Sequence, residues 1–253
     1  MVVVKLIHAL ASGNRLAAEL MRLVSFCGIM LALFTPNLAN AEISGEVELK
    51  SDDRFRGRSL SAGEPVIDAD ISVDTASGIY AGGSATFTLA NQDRIGFQRL
   101  DSYLGFAARI SENVTVDVGV AGYIFTKRYS GNANDQYAEI YAGLNSGGFA
   151  AYLHYTPNYF DRSVPVLYAD LNFARSIGSD FTIKAHAGLL AQTSGPPRLG
   201  GRLTRYDTRL ALSRPILGLE AEIAWTYAGR NDLYFDGPWA GNSALVFSIA
   251  KHF

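Results

Sequence analysis

Cysteine is almost absent from this chain of 253 residues, in which Cys27 is the single one. One cysteine excludes an intramolecular disulfide and a CxxC metal cluster. A basic surplus is also missing: the formal net charge is -2, which excludes a strongly basic nucleic-acid binder. Long apolar runs are missing as well. The longest, residues 23–34, is shorter than the roughly 18 residues that a membrane-spanning helix needs.

That short apolar run predicts a signal peptide. Met21 and Arg22 provide a basic start, residues 23–34 an apolar core, and residues 37–41 a small-x-small cleavage site. We therefore expect cleavage after Ala41, with residues 1–41 as the signal peptide and residues 42–253 as one mature domain. Because the signal is already complete from Met21, the sequence leaves two starts open: Met1, or Met21 with residues 1–20 as an untranslated extension.

Beyond Ile43 the dominant hydrophobic period is two, which is typical of strands, and helical periodicity is not seen. Turn residues separate segments of about nine to thirteen residues, each of the length that predicts one strand. We expect twelve strands, at about 43–54, 65–74, 79–90, 98–110, 113–126, 136–145, 148–156, 165–175, 180–191, 203–214, 216–228 and 243–253.

The two faces of these predicted strands differ in charge. One register is apolar, as in Val114, Val116 and Val118, and we expect it to be free of charge in every strand. The other register holds the acidic residues Glu46, Glu48, Asp68, Asp70, Asp74, Asp101, Asp117, Glu139, Asp170, Asp207, Glu220 and Glu222. It also holds the basic residues Lys50, Arg109, Lys184, Arg205 and Arg209.

Alternation alone fits a soluble sandwich with its apolar face inside as well as a membrane barrel with that face outside. The connections favour the barrel, because they alternate in length. Short ones are expected near 75–78, 111–113, 146–147 and 176–179 and around Pro215, and longer polar ones near 55–64, 91–97, 127–135, 157–164, 192–202 and 229–242. Short turns at one end and long loops at the other are typical of outer-membrane barrels.

Aromatic residues support the same interpretation. The chain ends on Phe253 after the alternating residues Leu245, Phe247 and Ile249, which resembles the signal by which the barrel-assembly machinery recognises its substrates. Aromatic residues near the long loops are expected to form an interfacial girdle. They are Tyr123, Phe125, Tyr129, Tyr155, Tyr159, Phe160, Trp225, Tyr227, Tyr234, Phe235 and Trp239. We predict a twelve-stranded antiparallel outer-membrane β-barrel.

Several segments resemble a known family. Residues 45–57 (GEVELKSDDRFRG), 137–144 (YAEIYAGL), 155–160 (YTPNYF) and 248–253 (SIAKHF) are similar to the TorF-type porins, a proteobacterial family of conserved hypothetical outer-membrane proteins. Asp53 stands where the family pattern has an aromatic residue. The resemblance covers essentially the whole mature chain and implies a porin-like role, without a substrate or assigned functional residues.

If the charged register faces a water-filled lumen, its acidic surplus favours cations. The alternative is a set of neutralising pairs, such as Arg209 opposite Glu222 across a tight turn. Asp68, Asp70 and Asp74 have no obvious partners, and we expect them to set selectivity. The full set of candidate pore-lining residues is Asp68, Asp70, Asp74, Asp101, Asp117, Glu139, Asp170, Lys184, His186, Arg205, Arg209, Glu220 and Glu222.

Two further groups leave alternatives open. His186 and Asp170 are expected side by side on neighbouring strands, with His154 one strand further; such a pair orients a catalytic imidazole, binds a metal, or forms a lumen hydrogen bond.

Arg54 and Arg56 lie where the first strand meets the first loop. Three interpretations are open: the two side chains fold inward at a constriction, they bind lipopolysaccharide phosphates, or they are ordinary loop charges.

The sequence thus predicts a passive outer-membrane channel for small polar solutes or ions, with a weak cation preference. No catalytic residues, metal or cofactor are expected. The expected partners are outer-membrane lipid, lipopolysaccharide, the assembly machinery through Phe253, and small solutes, with no nucleic acid. The alternatives are an outer-membrane enzyme acting on lipid or lipopolysaccharide and a plugged structural barrel.

Overall fold

The computed structural model describes residues 41–90, 94–126, 136–161, 163–196, 203–229 and 242–253. The described part is nearly all strand, with one 3-10 turn at Tyr159–Asp161. The strands are β1 (Glu42–Lys50), β2 (Arg54–Phe55), β3 (Arg58–Ser59), β4 (Val66–Asp74), β5 (Ile79–Ala90), β6 (Arg94–Ser111), β7 (Val114–Phe125), β8 (Gln136–Ser146), β9 (Phe149–Thr156), β10 (Val166–Ile177), β11 (Phe181–Gln192), β12 (Thr204–Ile216), β13 (Leu219–Ala228) and β14 (Ser243–His252).

Twelve of the described strands close into one antiparallel barrel, which confirms the predicted fold. From β4 to β14 each strand pairs with its neighbours in sequence, and β1 lies between β4 and β14. The remaining strands, β2 and β3, form a separate small hairpin in the connection between β1 and β4. Because the barrel closes, its twelve strands leave no unpaired sheet edge.

The closing seam between β1 and β14 ends on the last residue of the chain. Gly45 and Phe253 exchange two backbone hydrogen bonds, of 2.9 and 3.0 Å. The Phe253 ring lies over Gly45, where a Cβ would stand 2.6 Å from a ring carbon. Glycine therefore leaves the space that the terminal aromatic side chain fills at the seam.

The apolar register faces outward, as predicted. Its large side chains are exposed, including Ile43, Leu49, Ile71, Phe106, Ile140, Leu153, Leu189, Leu210, Leu245 and Phe247. The expectation that this face is free of charge is wrong at Arg175, Arg214 and Lys251, which share the outward register near the short turns. Long cationic side chains at strand ends keep their charged groups near water while the stems cover apolar surface.

Two predicted connections need correction. Strand β6 begins at Arg94, so only residues 91–93 separate it from β5 rather than a loop over 91–97. The hairpin continues because Phe87 packs on Phe97, with ring centroids 5.7 Å apart. The turn expected around Pro215 lies at Leu217 and Gly218, between the paired residues Ile216 and Leu219.

The predicted aromatic girdle is only partly present among the described residues. Trp225 stacks on Tyr227, and Tyr227 lies near Tyr206, on the outer surface. Tyr155 is also exposed there. The expectation is wrong for four residues that lie inside the barrel, three of them buried and Tyr123 partly buried: Tyr123, Phe125, Tyr159 and Phe160. Tyr129, Tyr234, Phe235 and Trp239 lie outside the described residues.

The chain divides into two compact units. One comprises residues 1–41 and 75–77, of which the structure describes Ala41 and Thr75 to Ser77; the other, residues 42–74 and 78–253, contains the barrel. The predicted signal peptide falls almost wholly outside the described residues. Within them, no helix is long and apolar enough to cross a membrane.

The Leu217–Gly218 turn carries avoidable strain. Both residues have positive φ, 53° and 79°, as in a type I′ turn, and the Leu217 side chain is 99% exposed. Asparagine tolerates this conformation better than leucine. We expect Leu217→Asn to raise the free energy of unfolding by about 1 kcal/mol, measured by urea unfolding in detergent micelles. Gly218→Ala should lower it, and a fall with Leu217→Asn would contradict this account.

Candidate functional site

The connection between β1 and β4, here called loop 1 (residues 51–65), folds into the long-loop end of the barrel. It contains the hairpin β2–β3, whose tip is Arg56 and Gly57, both at positive φ. Its buried residues are Leu60 and five charged or polar ones that a solvated surface loop would expose: Asp52, Asp53, Arg58, Ser59 and Ser61. Loop 1 is therefore an interior element of the barrel.

Asp52 organises loop 1 from within. Its carboxylate accepts hydrogen bonds from Arg54 Nε at 2.5 Å, Ser59 Oγ at 2.5 Å and Ser61 Oγ at 2.9 Å. The Gly63 amide donates a fourth at 3.3 Å. One buried carboxylate thus joins both halves of the loop, and charge-assisted bonds of this kind are the strong ones in proteins.

Asp53 joins loop 1 to the barrel wall. Gln98 of β6 donates to the Asp53 carboxylate at 2.6 Å and accepts from Thr88 of β5 at 2.7 Å. Arg99 Nη1 lies 3.4 Å from the same carboxylate, and Arg99 Nε lies 2.9 Å from Asp101. Asp53 is therefore a polar anchor between loop 1 and β6.

Arg56 reaches from the hairpin tip to β8. Its Nη2 donates to both oxygens of Glu139, at 3.0 and 2.7 Å. The guanidinium lies over the ring of Tyr168, 4.2 Å from the centroid, and within 5.6 Å of Tyr159. The side chains are only 6% and 1% exposed for Arg56 and Glu139, so this ion pair is removed from solvent.

An aromatic cluster surrounds this ion pair. Phe55 of the hairpin packs edge-on against Tyr123 and Phe125 of β7, at 5.4 and 5.5 Å. Buried around them are Leu60, Tyr137, Tyr159, Phe160, Val164, Val166, Tyr168 and Leu190. The cluster therefore joins loop 1 to strands β7, β8, β10 and β11.

Gly57 shows how far loop 1 extends. A Cβ on Gly57 would stand 2.6 Å from the Asp207 Cβ on β12 and 3.0 Å from that of Ala228 on β13. Loop 1 thus crosses the interior from β1 and β4 to β12 and β13. Because Gly57 has a φ of 75° and no room for a side chain, glycine alone fits this position well.

The interior histidines and carboxylates pair in a different combination from the predicted pair of His186 and Asp170. His186 Nε2 lies 2.9 Å from Asp207, and its Nδ1 lies 2.7 Å from Asn172. Asp170 instead lies 3.0 Å from His154 Nε2. The expected contact between His186 and Asp170 is wrong because His186 pairs with Asn172 in the β10–β11 register.

Asp68 has a partner that sequence reasoning missed. Lys50 Nζ lies 2.8 Å from Asp68 and 3.3 Å from Glu48, so it bridges β1 and β4. Asp70 lies opposite Glu46 in the same register, with like charges facing each other. The unpaired acidic row proposed on β4 is thus shorter than expected, since Asp68 is neutralised.

Tyrosines cover the interior wall from β5 to β9. Asp117 accepts hydrogen bonds from Tyr80 at 2.5 Å and Tyr152 at 2.9 Å. Tyr80 also bonds Tyr141 through the two hydroxyls, at 2.6 Å. Asp117, predicted to line a pore, is buried beneath these rings.

A cavity of about 210 Å³ lies on the other side of the interior, toward the short turns. Lys184 Nζ lies 2.6 Å from Glu220 and 3.0 Å from Glu222, and Arg209 also pairs with Glu222. The predicted Arg209–Glu222 contact is present although the turn is displaced, because both side chains are long. The cavity lining is Glu46, Glu48, Lys184, Arg209, Glu220, Glu222, Ser248, Ala250 and His252.

Nine of the thirteen predicted residues lie in three arrangements: Glu139, Asp170, His186 and buried Arg205 near loop 1, Asp117 under tyrosines, and Lys184, Arg209, Glu220 and Glu222 at the cavity. Of the other four, Asp68 bonds Lys50, Asp101 lies beside Arg99, Asp70 faces Glu46, and Asp74 is exposed. Sequence reasoning missed Arg99, Gln98 and the interior tyrosines. The alternation of inward and outward side chains along each strand could have identified Arg99, Tyr123 and Tyr137 as interior residues. In the described part, no group of three or more His, Cys, Asp or Glu residues is placed to hold a metal.

The fold defines a class of protein, the closed barrel with an apolar outside and a charged, hydrogen-bonded inside. It is similar to the NanC porin, with TM-score 0.53 and 14% identity over 81% of this chain and 97% of NanC. The KdgM porin gives TM-score 0.49 and 11% identity over 83% and 98%. Residues 37–251 match the family Gcw_chp, described as a bacterial protein of unknown function, and the chain belongs to this family. No curated protein matches it.

The bonds of Asp52 make its role in loop 1 testable. We expect Asp52→Ala to leave Ser59, Ser61 and Arg54 without their shared acceptor, so that amides of residues 52–63 exchange hydrogen at least about tenfold faster. Hydrogen-exchange mass spectrometry in micelles measures this. Asp74→Ala, at an exposed acid near the short turns, is the control and should leave loop 1 unchanged. Unaltered exchange in Asp52→Ala would show that other contacts hold the loop.

Proposed function

We propose that this protein is an outer-membrane channel through which small polar solutes or ions diffuse passively. The observation that carries the proposal is the inverted barrel, with large apolar side chains outside and a charged cavity inside. NanC, whose fold this chain shares, is a porin. The resemblance of residues 45–57 to the TorF-type porins supports the same role.

The apolar outer face supports a location in the outer membrane. Closure of the sheet satisfies every ladder hydrogen bond internally, which a lipid environment demands. We propose that the chain is exported with a signal peptide that is cleaved after Ala41. The mature barrel would then contact lipid and lipopolysaccharide, and the assembly machinery would recognise it through Phe253. The seam position of Phe253 fits such recognition, because the last strand is complete only when that residue pairs with Gly45.

Loop 1 narrows the proposed channel at its long-loop end. It reaches Asp207 on β12, Ala228 on β13 and Glu139 on β8, and its aromatic packing fills the space between. We therefore expect low conductance from the resting protein. Of the two arginines considered in the sequence, Arg54 bonds within loop 1 and Arg56 bonds the wall, which supports the inward, constricting alternative over lipopolysaccharide binding.

We also propose that the channel has a weak preference for cations. Many interior acids are neutralised: Asp68 by Lys50, Asp101 by Arg99, and Glu222 by Lys184 and Arg209. Asp70 instead lies opposite Glu46, whose carboxylate is 2.9 Å from His252 Nδ1, and Asp74 follows along β4. This row lies toward the short turns, so we assign the preference to that end of the channel.

A plugged structural barrel is the second candidate, and the inward fold of loop 1 is the observation that favours it. An enzyme acting on lipid has less support. His154 and His186 are bonded to carboxylates in the interior rather than placed at the lipid-facing surface.

Single-channel current across a planar bilayer under a salt gradient tests the proposal. Discrete current steps from the refolded mature protein are the expected result. A folded barrel without current would overturn the channel and leave the structural barrel.

The acidic row on β4 makes the cation preference testable. Asp70→Asn should move the reversal potential toward the non-selective value, because it removes one of two facing carboxylates. Glu112→Gln removes the same charge from the exposed turn between β6 and β7 and should leave the potential nearly unchanged. Equal shifts from the two variants would remove Asp70 from the selectivity argument.

A further inference from the structure

The wall of the barrel carries a carboxylate held in a fixed position near loop 1. Tyr123 donates to Glu139 Oε1 at 2.9 Å, and His154 Nδ1 lies 3.0 Å from the same oxygen. These neighbours come from β7 and β9, on the two sides of β8. Glu139 is therefore contacted by groups of the barrel wall in addition to Arg56 of loop 1.

Aromatic rings complete a site around that carboxylate. Tyr168 of β10 presents its face 4.2 Å from the bound guanidinium, and Tyr159 lies 5.6 Å away. A planar cation with several N–H donors that lies over an aromatic face while donating to a carboxylate is a guanidinium. An ammonium ion is a point charge and uses only part of this arrangement.

The present occupant of the site is separable from it. Arg56 belongs to the tip of a loop hairpin and is 83 residues away from Glu139 in sequence. Its Nη1 has no hydrogen-bond partner among the described residues. Arg56 therefore fills the site without using all of its donors, and a free guanidinium group has the same chemistry without the constraint of the loop.

We propose that Glu139, Tyr168 and Tyr159 form a binding site for guanidinium-bearing solutes, which loop 1 occupies with Arg56 in the resting protein. A solute that takes the site displaces the Arg56 guanidinium from Glu139 and Tyr168. This inference rests on the proposed channel and names the class of solute that its narrow part recognises.

The test uses Arg56→Ala, which vacates the site, and methylguanidinium as the probe. Methylguanidinium should block the current of this variant at a concentration at least about tenfold lower than in Arg56→Ala/Glu139→Gln, the factor for one lost bond to a charged group. Methylammonium should be weaker by a similar factor. The same probe should raise the thermal unfolding temperature of Arg56→Ala in micelles.

Two further variants serve as controls. Arg175→Ala removes an exposed arginine of the outward register near the short turns, away from loop 1, and it should respond to the probe as the wild type does. Arg56→Lys keeps the charge and loses the planar fork. It should be more sensitive to methylguanidinium than the wild type, and it tests the site if Arg56→Ala does not fold.

Failure of the site and failure of the channel give different results. If methylguanidinium and methylammonium act equally, or if removal of the Glu139 charge changes nothing, the site is overturned while current steps still support the channel. If no variant conducts but methylguanidinium selectively stabilises Arg56→Ala, the site stands and the channel is overturned.

Discussion

Closure of the backbone hydrogen-bond ladder between β1 and β14 is the constraint on which the rest of this structure depends. A closed sheet fixes two surfaces, and period-two alternation assigns every strand residue to one of them. With the apolar register outside, most of the charge on the strands must be accommodated inside. There it is bonded into local networks, such as Asp117 with Tyr80 and Tyr152. The charged interior thus follows from the closure and from the apolar outer face together.

Sequence reasoning predicted the strands well because their signal is local. Each segment shows its own alternation, and observed bounds such as Ile79–Ala90 agree with the predicted 79–90. The turn at Leu217 and Gly218 was misplaced because Pro215 is a stronger local signal than leucine. The fold of loop 1 was not predictable in the same way. Its contacts join Asp53 to Gln98 and Arg56 to Glu139 across long sequence separations, and a single sequence contains no pattern that connects them.

The candidate site shows the same division between local and long-range information. The alternation of side chains along the strands predicted that Glu139, Asp170 and His186 face inward, but it did not determine which histidine bonds which carboxylate. That choice depends on the register between strands, where a displacement of two residues changes the partner. Lys50 neutralises Asp68 through such a cross-strand contact. A surplus of acidic residues in a sequence therefore overstates the field inside a barrel, because part of it is cancelled by neighbours that only the register identifies.

The reach of loop 1 has a consequence for the order of assembly. Its residues lie between the first two barrel strands, whereas its partners Glu139, Tyr168 and Asp207 belong to strands formed from later parts of the chain. Loop 1 acquires its final contacts only once those strands stand around it. We therefore expect loop 1 to pack after the barrel wall has closed, so that its docking is a separate step that follows closure of the strand ladder.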